Sequence, residues 1–207
     1  MIKDVSIIIT NYNYGRFASR CIRSCLDQQF CDPELIIVDD CSTDNSFDYI
    51  QPFLDGNKVR YCKTEKNSGV AVAANVGIKL ARGCFVIRVD ADDFVNQNMC
   101  YFMRTYLVAN HDAFCVSCDY LMVDSQENIL ERRYAKDQNI SCGIMYRKDL
   151  LLELGGYNED MRHREEEELR KRLGEDYKIH HLQIPFYRYR MHDHNKTKSP
   201  GYEECKV

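Results

Sequence analysis

"VSIIITNYNYGRFASRCIRSCLDQQFCDPELIIVDDCSTD", residues 5–44, holds two apolar runs with a helical stretch between them. Val5 to Thr10 has strand length, and Leu35 to Val38 reads as a second buried strand. Between them, from Phe17 to Gln29, Phe17, Cys21, Cys25 and Leu26 recur at helical intervals. The alternation continues downstream. Phe47 to Leu54 predicts a short helix beyond Ser42, Thr43 and Asp44, which offer N-caps. Val59 to Cys62 is a third strand, and Val70 to Ala81 an Ala-rich helix with Gly83 as its C-cap glycine. Cys84 to Val89 is the fourth strand. Strands alternating with helices imply parallel strands with right-handed crossovers, and near-continuous apolar strands imply a sheet covered on both faces. The expected fold class is α/β, an open and mostly parallel sheet whose ligand site lies beyond the strands' carboxyl ends.

That rule selects the candidate site. Thr10-Asn11-Tyr12-Asn13 follows strand one, Asp39-Asp40 follows strand two, and Asp90-Ala91-Asp92-Asp93 follows strand four. An acidic turn after a strand is commonplace, but three polar clusters at three carboxyl ends converge on one crevice. Carboxylates crowded there repel one another unless a cation intervenes. Oxygen donors suit Mg²⁺ or Mn²⁺, and magnesium usually combines one or two carboxylates with substrate phosphates, so the implied ligand is a nucleoside diphosphate. A carboxylate beside the base accepts but cannot donate. It suits the N3–H of uracil or thymine, or the N1–H of guanine, and this role falls to Asp40.

Composition excludes other classes. The 207 residues allow one substantial core, and a net charge of -4 argues against a nucleic-acid binder held by phosphate contacts. With 44% hydrophobic and 29% charged residues the chain reads as globular. No run approaches the roughly 18 residues needed to cross a bilayer, which leaves only peripheral membrane contact open. The start, MIKDVSIII, lacks the features of a secretory signal, so the 11 cysteines are expected to be reduced thiols of a cytoplasmic protein. No G-x-G-x-x-G follows strand one, against a dinucleotide-dependent oxidoreductase. Cys115-Val116-Ser117-Cys118 is a lone CxxC within a strand pattern and reads as structural.

The opening stretch, with "NSGVAVAANVGIKLARGCFVIRVDADD" at residues 67–93, resembles the inverting, GT-A-fold glycosyltransferases of family 2, over about residues 4–195. The resemblance implies a GT-A (nucleotide-diphospho-sugar transferase) fold with a smaller acceptor-side sheet. It divides the chain into a nucleotide-sugar-binding half, 1–95, and an acceptor-binding half, 96–207, within one domain. It places Thr10 and Asp40 at the nucleobase, with Asn11, Tyr12, Asp39, Asn67 and Asn75 among the substrate-binding residues. Asp90, Asp92 and Asp93 would hold ribose and metal, with Asp93 the direct metal ligand. One departure is Ala74, where relatives carry Arg before the Asn of the third helix.

In the second half Ala113 to Val123, Ile129 to Tyr134 and Gly143 to Arg147 read as strands, and Gly155 to Asn158 as a turn opening toward "HREEEELRKRLG", residues 163–174. Glu165, Glu168, Leu169, Arg172 and Leu173 repeat at helical intervals; alone, this is a solvated charged helix with pairs such as Glu166–Arg170. The resemblance implies an acidic pair whose second member is the base: Glu166 preceded by Glu165, with Glu167 one residue away as the other register. The basic segment "YRYRMHDHNKTKS", 187–199, reads either as a solvated tail or as a flap in which Arg190, His192 and Lys196 cover the diphosphate. A family Arg-x-His context points to His192 rather than His194 as a further metal ligand.

The expected function is therefore metal-dependent, inverting transfer of a sugar from a nucleotide-diphospho-sugar to a hydroxyl of a glycan or lipid-linked saccharide, as in polysaccharide biosynthesis. UDP is the first choice of nucleotide, with dTDP or GDP the others. Two alternatives stand beside it. A sugar-phosphate nucleotidyltransferase would want a Gly-rich, Arg-bearing loop after strand one, and a non-catalytic nucleotide-sugar-binding module would lack the base.

Overall fold

Side-chain alternation along the first strand sets the layers. The computed structural model describes residues 4–54, 56–138, 140–162, 164–174, 177, 179–193 and 195. Strand β1 (Val5–Asn11) is buried throughout and pairs in parallel with β2 (Glu34–Asp39) on one side and β4 (Phe85–Asp90) on the other. Strand β3 (Val59–Lys63) adds in parallel outside β2. Val5, Ile7 and Ile9 share one core with Ala18, Ile22 and Cys25 of helix α1 (Gly15–Leu26). Ile8, with Ile36 and Val38, faces the opposite core, where Ala71, Ala74 and Ile78 of α3 (Val70–Leu80) pack. Between these helices lies the short α2 (Ser46–Ile50), whose first amide is bonded by Asp44 Oδ1 at 3.0 Å.

Two glycines let the layers approach. A Cβ on Gly77 of α3 would overlap Ile8, so the helix rests directly on β1. Gly83 is not the helix C-cap expected from sequence. Ala81 ends α3, while a Cβ on Gly83 would fall 2.8 Å from the Ser6 amide, so this glycine is required where the chain passes under β1.

The rest of the chain extends the same sheet. In order come β5 (Phe94–Val95), α4 (Met99–Ala109), β6 (Cys115–Val123), β7 (Ile129–Arg133), β8 (Ile144–Arg147), α5 (Lys148–Glu153), α6 (Glu165–Leu173) and β9 (Ile179–Arg190). The sheet order is β3-β2-β1-β4-β8-β6-β9-β5, with β7 on β6. The strands of the second half thus continue the parallel ones in a single sheet, where a separate smaller sheet was expected. Strand β8 is antiparallel to both β4 and β6, which restores the direction of β6; β9 runs parallel to β6. Consequently β9 ends at the same edge as β1, β2 and β4. Residues 187–190 are the last turns of this strand and not part of a tail, and Lys196 and His194 lie outside the described residues.

Candidate active site

The carboxyl ends of β1, β2 and β4 open into a cleft of about 1020 Å³ that α6 lines from the second half of the chain. Thr10, Asn11, Tyr12, Asp40, Asn67, Asp90, Asp92, Asp93, Glu165 and Glu166 all line it. At one end the Asp40 carboxylate is fixed by the Ser68 amide (2.9 Å), the Gly69 amide (2.7 Å) and the Thr64 hydroxyl (3.0 Å). Gly69, at φ 97°, turns the chain so that the amides at the start of α3 reach this acid. Asn11 donates to Ser42 Oγ at 3.0 Å, while its buried Oδ1 has no hydrogen-bond partner among the described residues. Tyr12 is 41% exposed and presents a ring at the cleft.

In the middle stand three acids. Asp90 receives the Thr10 hydroxyl at 3.0 Å. Asp92 Oδ2 lies 3.0 Å from Nε2 of His192, two residues past the end of β9. Asp93 is buried deeper, its oxygens bonded by the Tyr187 hydroxyl (2.7 Å) and the Arg190 amide (2.8 Å). Burial first, then the neighbouring carboxylates, drives Asp93 well above the ordinary carboxylate range; Asp92 is raised by burial and held back by His192. Such a cluster gains by taking up a cation. Its carboxylate oxygens suit Mn²⁺ or Mg²⁺, whereas the His192 ring packs on Phe17 and lines the neighbouring cavity. Asp90, Asp93 and Cys142 also bring one ligand atom each within 4.8 Å of one another. The Cys142 thiol is pushed up by burial and by Asp90 and Asp93, so it stays protonated and is the weaker donor.

At the far side the first turn of α6 delivers the glutamates. Glu165 and Glu166 are each 3% exposed. Arg88 Nη1 donates to Glu165 at 2.6 Å, and Arg170 pairs with Glu166 one turn on. Burial lifts the Glu166 carboxyl from the ordinary 4.5 to about 7, with Arg170 opposing and Glu165 adding to the rise. Glu167 is exposed and paired with Arg164 at 2.7 Å.

A model of the family described as glycosyl transferase family 2 matches residues 6–169. The chain belongs to glycosyltransferase family 2. It is 38% identical over 100 residues to the glycosyltransferase GlyG of Streptococcus pneumoniae, a stretch covering 48% of this chain and 33% of that protein. TarS of S. aureus, solved with UDP-GlcNAc, matches with a TM-score of 0.79 at 21% identity, over 95% of this chain and 61% of that one. The mannosyltransferase PcManGT of Pyrobaculum calidifontis, solved with GDP-Man and Mn²⁺, gives 0.72 at 16%, over 99% and 60%. These two likenesses show the GT-A fold. The chain spans 33% and 48% of the lengths of the first two curated relatives.

Three residues expected to bind substrate are turned elsewhere in this family 2 chain. Asp39 is bonded by the Ser42 amide (2.8 Å) and the Tyr61 hydroxyl (2.9 Å), because consecutive residues of β2 point to opposite faces. Asn75 is a buried clamp between α3 and the loop before α6, bonded to both the carbonyl (2.8 Å) and the amide (3.0 Å) of Tyr157. Arg190 sends its guanidinium into the neighbouring cavity, to the Asp92 carbonyl (2.9 Å) and Glu127 (3.1 Å). On α6 the buried acid beside Glu165 is Glu166; Glu168 pairs with Arg172 at 3.0 Å. Sequence reasoning missed Arg88, Tyr187, Cys142 and the Ser68–Gly69 amides. For Arg88 a signal existed, a lone cation inside the apolar run of β4.

Proposed function

We propose that this family 2 chain is an inverting transferase that moves a sugar from a nucleotide-diphospho-sugar, a UDP-sugar first, to a hydroxyl of a saccharide or lipid-linked saccharide. The observation that supports it is the meeting, in one cleft, of a fixed acceptor at Asp40, the carboxylates of Asp90, Asp92 and Asp93, and a buried carboxylate at Glu166. Asp40 accepts the imino hydrogen of the base, and Asn11 Oδ1 offers a further acceptor beside it. TarS is solved with UDP-GlcNAc and PcManGT with GDP-Man, so the fold accommodates either base, and uracil is put first.

Asp92 and Asp93, with Asp90 beside them and His192 bonded to Asp92, would hold Mn²⁺ or Mg²⁺, and the ion would supply positive charge to the departing diphosphate. PcManGT, solved with Mn²⁺, supports a divalent ion in a cleft of this fold. Glu166 takes the proton from the attacking hydroxyl. Its carboxyl, raised to about 7, is suited to trading a proton near neutrality. Only one displacement occurs, so the anomeric configuration inverts. No described helix is long and apolar enough to cross a membrane, and a lipid-linked acceptor would be met at a membrane surface.

Glu166→Gln tests the base. It keeps size and hydrogen bonding while removing the proton acceptor, so UDP binding should persist and transfer should fall by about 10²–10⁴-fold. Full turnover in this variant would overturn the assignment and favour Glu167.

A further inference from the structure

We propose that Arg88 is a positioning residue that holds the first turn of α6, and with it Glu166, at a fixed distance from the donor side of the cleft. The inference rests on the reading of the cleft as a donor and base site. Arg88 occupies a position of β4 where the strand pattern calls for an apolar side chain, and its side chain is 5% exposed. A guanidinium so buried persists only when it is paired. Its Nη1 donates to Glu165 Oε1 at 2.6 Å, its Nε lies 3.1 Å from Asp90 Oδ1, and the Tyr157 ring centroid lies 5.9 Å from its central carbon. Asp90 in turn receives the Thr10 hydroxyl. A continuous line of polar contacts, Thr10–Asp90–Arg88–Glu165, therefore crosses the floor of the cleft from β1 to α6.

The need for such a tie follows from the helix itself. Leu169 and Leu173 anchor the later turns of α6 in the core, but its first turn carries Glu165, Glu166, Glu167 and Glu168. Adjacent like charges repel, and the chain enters the helix through Arg164 at a left-handed φ of 59°. Arg88 neutralises the glutamate nearest the sheet and pulls that turn inward. Glu165 is thereby committed to Arg88, and Glu166, paired with Arg170 on the same helix, lines the cleft beside it.

Arg88→Met and Arg88→Lys, each compared with the wild type, test this with three measurements. These are affinity for UDP with Mn²⁺, donor turnover followed by nucleoside diphosphate release, and amide hydrogen exchange across residues 164–170. In Arg88→Met the start of α6 should exchange faster while the amides of β1 and β2 do not. UDP affinity and donor KM should stay within about threefold, and kcat should fall about a hundredfold, the cost typical of a misplaced group. Arg88→Lys should recover much of kcat. Unchanged exchange at α6, or a loss confined to UDP affinity, would overturn the proposal. If wild type binds no nucleotide, the donor reading fails, and the exchange measurement still decides whether Arg88 holds α6.

Discussion

At the scale of single residues, Glu166 makes the sharpest claim on pH. Its carboxyl rises from 4.5 to about 7, chiefly through burial. A base acts only when deprotonated, so kcat/KM should climb about tenfold per pH unit up to roughly 7 and then level, and a profile flat from 5 to 8 would contradict this. Stability runs the other way. Between 4.5 and about 7 the folded chain holds a proton that the unfolded chain has released, so this group's contribution to stability falls as pH rises through that window. Denaturation of Glu166→Gln across the same range should show a weaker loss with pH than wild type. At this scale the lining of one cleft by Asp40, the downstream aspartates and the α6 glutamates was legible from their positions along the chain. Arg88 stood out as a lone cation in β4, but its pairing did not, because its partner Glu165 lies 77 positions away and no local pattern joins them. Strand geometry does explain the neighbours: of two successive acids ending a strand only one can face the cleft, hence Asp40 inward and Asp39 toward Tyr61.

At the scale of elements, helix α3 shows how packing sets the site. Gly77 lets the helix lie against Ile8, and the same helix presents the amides that hold Asp40. Gly77→Ala should cost about 1–3 kcal/mol by overpacking, read as a lower denaturation midpoint with unchanged slope. A neutral result would mean that α3 stands off β1. The four parallel strands and their helices were readable because apolar runs and 3.6-residue spacing are local signals. Helix α4 was missed although Met99, Cys100, Met103 and Leu107 repeat on one face. Strand β9 was hidden by its arginines and histidines: its burial comes from lying between β6 and β5, which the segment alone does not reveal.

At the scale of the whole molecule, the antiparallel β8 is what brings the two halves to one site. By reversing direction between β4 and β6 it sends β9 out at the edge where Asp90 and Asp92 wait, and places His192 against Asp92. The rule that ligands gather at carboxyl ends anticipated that Asp40, Asp90, Asp92 and Asp93 line one cleft, whereas the path of the second half carries no local signal. The account as a whole depends on those acids sharing a divalent ion with a diphosphate. Isothermal titration of the wild-type chain and Asp92→Asn with UDP, with Mn²⁺ and with a chelator, tests that directly. The account predicts that Mn²⁺ tightens UDP binding at least about tenfold in wild type and has little effect in the variant. Binding of UDP equally tight with chelator, or equally Mn²⁺-dependent in Asp92→Asn, would contradict it.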